Sequence, residues 1–258
     1  MRIALIGYGK MGKMIHDIAL ARRHEIAAIV DPIAEAPSGI PIYKSIADAA
    51  AANVDAAIEF SRPDAVVENI IALAQRKIPT VVGTTAWQNR MDEVCKAVET
   101  AGSALLWASN FSIGVNLFNR IAWKAAEIIN KFPEYDVGGF ESHHNKKLDS
   151  PSGTAKTLAE GVLSRIDRKK KIVWDNLTER KPNEDELHFP SLRVGNVPGT
   201  HSLFFDSVAD TIEITHTARS REGFASGAVQ AVEWLVLPID GKKRQGVFTI
   251  DDMLKEFV

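Results

Sequence analysis

The chain of 258 residues carries 31 basic and 33 acidic side chains, one cysteine and 45% apolar residues, enough for one large domain or two modest ones at roughly 150 residues each. A net charge of −2 with mixed signs supplies no field that would draw the whole molecule to nucleic acid or to an anionic membrane. The lone Cys95 excludes a disulfide scaffold and a thiolate metal site, and points to a reducing compartment. The apolar runs Ile3–Ile6 and Trp234–Leu237 are too short for a signal peptide or for the roughly 20 residues of a membrane helix, so a cytoplasmic globular protein is expected.

Through the first 110 residues short apolar runs alternate with amphipathic helical patterns, the rhythm of a parallel sheet covered by helices. Strands are expected at Ile3–Ile6, Ile26–Val30, Ala56–Phe60, Thr80–Val82 and Ala104–Trp107. Helical spacing places Met11, Met14, Ile15, Ile18 and Ala19 on one face, and a second helix is expected to open at Pro63 and carry Val66, Ile70, Leu73 and Ala74. A third covers Arg90 to Thr100, and the alanine-rich stretch Ala47–Ala57 reads as a short helix leading into a strand. After Phe111 the rhythm changes. A long helix from Ile113 to Ile129 precedes a strand at Tyr135–Glu141, a helix starting near Ser152, and strands around Phe189–Arg193, Ser202–Val208 and Thr211–Thr217. Consecutive strands with short turns predict an antiparallel or mixed sheet in a second domain. The charged stretch between Arg165 and His188 reads as an exposed loop. The last helix, Phe224–Leu237, and the tail Val247–Phe257 fit either domain.

Gly7-Tyr8-Gly9-Lys10-Met11-Gly12 follows the first strand and opens the first helix, the context a dinucleotide fingerprint requires. Gly7 permits the turn, Gly9 lacks the Cβ that would block a pyrophosphate, and Gly12 lets the helix lie close to the sheet. The helix N-terminus then presents N–H groups and a positive dipole end to phosphates. Asp31, nineteen residues beyond Gly12, ends the second strand, where a carboxylate accepts from the ribose hydroxyls and repels a 2′-phosphate. NADH is therefore expected over NADPH, with NADPH still possible because Lys10 and Lys13 offset part of that repulsion. The fold class expected is α/β: a Rossmann-type doubly wound parallel sheet with a second α+β domain built on a mixed or antiparallel sheet.

The densest chemistry lies in Glu141-Ser142-His143-His144-Asn145-Lys146-Lys147-Leu148-Asp149-Ser150-Pro151-Ser152-Gly153-Thr154. Ser152 reads as an N-cap, so the N–H groups of Gly153 and Thr154 would hold a carboxylate at a helix N-terminus. Lys146 or Lys147 would add a point charge and a proton source, and the histidines titrate near neutrality. No metal is expected, because adjacent histidines on extended chain point to opposite faces and no HxxxH or thiolate pair accompanies them.

These residues resemble the dihydrodipicolinate reductase family of lysine and diaminopimelate biosynthesis. Glu141 to Ala155 matches its E-x-H-H-x-x-K-x-D-x-P-S-G-T-A signature throughout. Gly83-Thr84-Thr85 resembles its loop beside the nicotinamide, and Ala108-Ser109-Asn110-Phe111-Ser112 its segment between cofactor site and hinge. Arg193-Val194-Gly195, Gly199-Thr200-His201, and Ser220-Arg221 with Phe224 extend the likeness over nearly the whole chain. The resemblance implies NAD(P)H-dependent reduction of a cyclic dicarboxylate, 4-hydroxy-tetrahydrodipicolinate. It implies His143 as proton donor and acceptor, Lys147 as proton donor, and His144, Gly153 and Thr154 as substrate-binding positions. The cofactor would be held by Gly7 to Gly12, Asp31, Gly83 to Thr85, Ala108 to Phe111, Arg221 and Phe224. It also implies a homotetramer built through the second domain's sheet, and a nucleotide domain of residues 1–112 and 221–258 around a substrate and assembly domain of 113–220. Two positions depart from the family pattern. Ala86 stands where glycine is usual, with little effect expected, and Pro32 stands where many members place an arginine after the acid, which removes a ligand for a 2′-phosphate. A homoserine or aspartate dehydrogenase would share the glycine loop without His-His-x-x-Lys and Ser-Gly-Thr, and a non-catalytic NAD sensor would lose the polar cluster.

Overall fold

The structure, a computed structural model, describes residues 1–35, 37 and 39–256. In chain order the elements are β1 (Arg2–Ile6), α1 (Lys10–Ala21), β2 (Glu25–Val30), β3 (Ile42–Tyr43), β4 (Ala56–Glu59), α2 (Val66–Gln75), β5 (Thr80–Val82), α3 (Met91–Ala101) and β6 (Ala104–Trp107). Next come α4 (Ile113–Ile129), β7 (Asp136–His143), α5 (Gly153–Leu163), β8 (Lys171–Val173), β9 (Glu186–His188), β10 (Ser191–Arg193), β11 (Thr200–Asp206) and β12 (Thr211–Thr217). The chain finishes with α6 (Glu222–Val236), β13 (Gly246–Thr249) and α7 (Ile250–Lys255). Contacts divide it into two compact units, Met1–Ser112 with the chain from Glu222 onward, and Ile113–Arg221.

The first unit holds a seven-stranded sheet of order β13-β6-β5-β4-β1-β2-β3, parallel at every pairing. Its strands are almost continuously apolar because both faces are covered. Ala4 and Ile6 of β1 cluster with Leu73 of α2, while Ile3 and Leu5, pointing the other way, are equally buried. On one face α2 and α3 meet around Val66, Ile70, Trp87, Val94 and Val98; α1 and α6 pack on each other as a second pair. Strand order reverses between β1 and β4, and in such sheets ligands usually bind outside the carboxyl ends of the strands at that point.

The second unit is a mixed sheet of order β12-β11-β7-β9-β8, with β10 also pairing β7. β7 is antiparallel to β11 and parallel to β9 and β10. Helices α4 and α5 bury one face, formed by Val137, Leu187, Phe189, Leu203 and Phe205. On the opposite face Phe140 and Phe204 stack at 6.1 Å between ring centroids.

Several elements differ from the periodicity-based expectation for physical reasons. Helix α2 begins three residues after Pro63, because Arg62 to Ala65 form a turn in which the Arg62 carbonyl accepts from Ala65 and Val66. The alanine-rich stretch contains only one 3₁₀ turn, Asp48–Ala51, before β4. The strand expected over Phe189–Arg193 is split at Pro190, which has no N–H for a ladder, into β9 and β10. The tail joins the first unit, with β13 paired to β6. The stretch Arg165–His188 is an exposed loop only in its middle, Asp175–Glu184, which is largely exposed and lies between β8 and β9. Lys169 is buried, and its ammonium donates to the carbonyls of Glu184 and Glu186, both at 2.9 Å, while pairing with Asp136. Glu186, also buried, is held by Arg180, Lys171 and the Asn183 N–H. Charge alone misleads there, because each buried ion has partners that offset its desolvation.

Candidate active site

The glycine loop leaves β1 through Gly7, whose φ of 89° is left-handed and whose N–H donates to the Val30 carbonyl at 2.8 Å. A Cβ on Gly7 would meet the Phe60 carbonyl oxygen at 2.4 Å, and one on Gly12 would meet the Gly7 carbonyl oxygen at 2.2 Å. Gly12 thus closes the loop on itself, in addition to any role against the sheet. A Cβ on Gly9 would meet nothing within 4 Å. Gly9 is the N-cap of α1 and supplies no side-chain cap, so the helix opens toward solvent with first-turn N–H groups available to an anion. Lys10 is exposed, and the Lys13 ammonium lies 6.0 Å above the Tyr8 ring. The Tyr8 hydroxyl is tied to His16 Nδ1 at 2.7 Å.

Asp31 sits beside this loop. Its Oδ2 accepts from the Tyr8 N–H at 2.7 Å, and its Oδ1 accepts from the N–H groups of Ile33 and Ala34 at 3.0 and 2.9 Å. Burial works to raise its pKa, but these three backbone donors outweigh it and hold the carboxyl below the usual range. A carboxylate offers about four acceptor sites, so the loop takes most of them and a ribose would share what remains.

The other expected cofactor positions lie along the same strand ends. Gly83 follows β5, its N–H donating to Glu59 O at 2.9 Å, and a Cβ there would overlap the Phe60 ring at 2.1 Å. Thr84 is buried, and its carbonyl accepts from the Trp87 indole at 2.8 Å; Thr85 is exposed. Ala86 has φ 64°: alanine occupies a left-handed backbone there, at a cost of roughly 1–2 kcal/mol, which explains why glycine suits this position. Ala108 follows β6, its N–H donating to Val82 O at 3.2 Å. Ser109 is exposed, Asn110 Oδ1 accepts from Ser112 N at 2.8 Å, and buried Phe111 lies 6.0 Å from the Phe60 ring. Phe224 is half-buried in the first turn of α6, and exposed Arg221 is the last residue of the second unit.

The sequence reading passed over Glu59, a fully buried acid at the end of β4 that accepts from Ser61 and Asn69. Burial pushes its carboxyl up. An acid closing an apolar strand ahead of a serine is the only trace of it in the sequence.

In the second unit β7 runs on to His143, so the signature begins inside the sheet. Glu141, completely buried, is the centre of the cluster. Its Oε1 accepts from Ser152 N at 2.9 Å, Ser191 Oγ at 2.7 Å and Arg193 Nη2 at 2.9 Å. Its Oε2 lies 3.1 Å from His143 Nδ1 and 3.5 Å from His201 Nε2. These last are close approaches and not aligned hydrogen bonds, since Oε2 and His143 Nδ1 have no hydrogen-bond partner. Burial would raise the Glu141 pKa, yet the donors around it win and drive it well below the carboxylate range. The rings of His143 and His201 meet edge-on at 5.2 Å.

Ser152 caps α5, its Oγ accepting from Ala155 N at 3.1 Å. Gly153 is exposed with open space where a Cβ would stand, and Thr154 is half-buried beside it. Lys147 reaches Asp149 Oδ1 at 2.8 Å, and its N–H donates to the His144 carbonyl at 3.1 Å. Arg193 donates to the Asp149 carbonyl at 2.7 Å, so this guanidinium ties Glu141 to the lysine loop. His143, His144, Lys147, Gly153 and Thr154 are thus brought to one end of β7 and the start of α5, while the expected cofactor positions other than Arg221 fall in the first unit. Glu141, Arg193 and His201 stand in motifs read from the sequence, but their convergence required β10 and β11 beside β7. Among the described residues Glu141, His143 and His201 also form a trio with metal-ligand spacing. Its single carboxylate is already paired with Arg193, which leaves little net charge to attract a cation.

The chain matches two family models, the N-terminus of dihydrodipicolinate reductase over residues 1–111 and its C-terminus over 114–254. It is 40% identical to 4-hydroxy-tetrahydrodipicolinate reductase of Christiangramia forsetii over 99% of this chain and 98% of that one. It is 32% identical to the reductase of the same name from Staphylococcus saprophyticus, over 98% and 100%. A dipicolinate-bound dihydrodipicolinate reductase from Paenisporosarcina sp. TG-14 shares the fold, with a TM-score of 0.76 at 20% identity over 96% of this chain and 97% of that chain.

The Asp31 carboxylate gives a pH prediction. A folded-state pKa below the unfolded one contributes stability that is fully present above the unfolded value, about 4, and is lost as pH falls through the folded value. The urea midpoint of Asp31→Asn should therefore fall below wild type at neutral pH, the gap narrowing only under about pH 4. A gap that is constant or widens toward acid would contradict the backbone hydrogen bonds as its cause.

Proposed function

As the chain belongs to the dihydrodipicolinate reductase family, we propose that His143 and Lys147 perform the proton chemistry of that family's reaction, and that the Gly153–Thr154 helix start holds its substrate. The activity is 4-hydroxy-tetrahydrodipicolinate reduction with NAD(P)H, in lysine and diaminopimelate biosynthesis. The first unit's sheet, open glycine loop and uncapped α1 fit a dinucleotide. When bound, the nicotinamide supplies hydride to C4 of the dehydrated, cyclic dicarboxylate. The protein's own residues then have three tasks. A carboxylate of the substrate is received at the N-terminus of α5, where Gly153 leaves room and the helix dipole favours an anion. Negative charge pushed to the far end of the conjugated system is met by the Lys147 ammonium, which leaves Asp149 to donate its proton. His143 exchanges protons beside it.

The single observation carrying this reading is that the cap of α5, the lysine loop and His143 are linked through one carboxylate and one guanidinium, Glu141 and Arg193. NADH as the preferred cofactor rests on Asp31 and on Pro32, which offers no cation to a 2′-phosphate; NADPH remains usable through Lys10 and Lys13. A homotetramer is supported by the sheet face bearing Phe140 and Phe204, which α4 and α5 do not cover. No helix among the described residues is long and apolar enough to cross a membrane, and the near-balanced charge favours no nucleic acid. A cytoplasmic site of action accords with both.

In an NADH-oxidation assay coupled to the upstream synthase, Lys147→Ala should lose on the order of 10²-fold in kcat with NADH binding intact. Turnover equal to wild type sinks the lysine's role, and the absence of synthase-dependent oxidation by wild type defeats the activity itself. Asp31→Ala frees three loop N–H groups and should weaken both cofactors, but NADH more than NADPH. An unchanged ratio of the two KM values would count against the ribose contact. Sedimentation equilibrium should return four times the 28.3 kDa chain mass, and a smaller assembly would remove the tetramer.

A further inference from the structure

Glu141 has no role in the proton and hydride chemistry just described, yet its two oxygens are treated very differently by the fold. Oε1 is filled by donors from three directions, the Ser152 N–H, the Ser191 hydroxyl and the Arg193 guanidinium, which pins the carboxylate plane and keeps the group ionised. Oε2 is sealed from solvent and has no hydrogen-bond partner. The nearest donor atoms to it are His143 Nδ1 at 3.1 Å and His201 Nε2 at 3.5 Å. His201 Nε2 has another neighbour, Ser152 Oγ at 3.3 Å. His143 Nδ1 is buried and has none. Two buried polar atoms 3.1 Å apart and without partners are costly to leave so, and a small turn of the ring that aims a proton on Nδ1 at Oε2 satisfies both.

We infer that Glu141 is a positioning residue that acts through His143: it holds the proton of the neutral imidazole on Nδ1 and so leaves the lone pair on Nε2 for exchange with substrate. The inference rests on the role proposed above for His143. Nε2 lies beside Gly199, where an added Cβ would stand 2.9 Å from that nitrogen, so any side chain at that position would crowd the atom that exchanges with substrate. The charged and titratable groups around the ring are Glu141 of β7 and His201 of β11, with Arg193 of β10 behind the carboxylate and His216 of β12 opposite His201 in the strand register. Among them only Glu141 offers an anion to Nδ1. Because Ser152 N also donates to Oε1, the same carboxylate sets the start of α5, and the ring and the carboxylate-binding helix end keep a common reference.

The test is the tautomer of His143, read from long-range ¹H–¹⁵N correlations of histidine-labelled protein, together with steady-state kinetics of wild type, Glu141→Gln and Glu141→Asp. Wild type should carry Nδ1–H in the neutral ring. In Glu141→Gln the amide can turn its NH₂ toward Nδ1, so the proton should move to Nε2, with kcat falling on the order of 10²-fold and the NADH KM unchanged. Glu141→Asp should keep Nδ1–H and recover part of kcat. An Nε2–H tautomer in wild type overturns the inference, and so does a Glu141→Gln enzyme that keeps Nδ1–H and wild-type kcat. If Glu141→Gln does not fold, the wild-type tautomer decides alone. A wild type with no synthase-dependent NADH oxidation would defeat the proposed function instead, and the tautomer would still be measurable.

Discussion

A carboxylate shut away from water at the end of β7 is the constraint on which the second unit's chemistry depends. An ion in that position is tolerable only if every neighbouring element turns a donor toward it. β10 supplies Arg193 and the Ser191 hydroxyl, and the cap of α5 supplies the Ser152 N–H. The demand for compensation therefore dictates where the strand ends, where the helix starts and how the lysine loop is tethered between them. Lys147 is partly exposed where Glu141 and His143 are buried, and the placement of both follows from the carboxylate beside them.

The first unit solves its problem with backbone instead of side chains. The surface proposed to receive an anion there has no Cβ at Gly9 and no side-chain cap on α1. Asp31, the one carboxylate at its rim, spends most of its acceptor capacity organising the glycine loop that adjoins it. Neither proposed anion site would draw on the overall charge, which is nearly balanced; both would use helix ends and local donors. The strain in the unit is correspondingly local, as at Ala86, where the loop after β5 keeps a left-handed turn in spite of a Cβ.

The parallel sheet was legible in the sequence because strands covered on both faces read as apolar runs, and the glycine loop because its spacing has one physical use. The cap at Ser152 was legible for the same reason. What escaped were features decided by distant pairing. Ile42–Tyr43 and Lys171–Val173 are too short for periodicity to register, and they are strands only because β2 and β9 lie beside them. Lys169 and Glu186 looked like solvent-facing charge, since composition cannot show that two carbonyls and an arginine await them. Glu141 was visible only as the first letter of a motif. Its importance lies in Ser191, Arg193 and His201, fifty to sixty residues further on, and no local pattern measures that distance.

The return of the chain to its first sheet bears on how the protein is made. β13 pairs with β6 in register from Gly246 opposite Ala104, and α6 packs on β4, β5 and β6. During synthesis the whole of the second unit emerges before either partner exists, so β6 spends that interval as a bare edge beneath an uncovered apolar face. Such surfaces are the ones nascent chains lose to mispairing. The inserted unit is bounded by its own core and can close early, while the first unit waits for the chain from Glu222 onward. The topology thereby constrains assembly: the second unit can complete first, whereas the first sheet gains β13 and the cover of α6 only when the end of the chain has emerged.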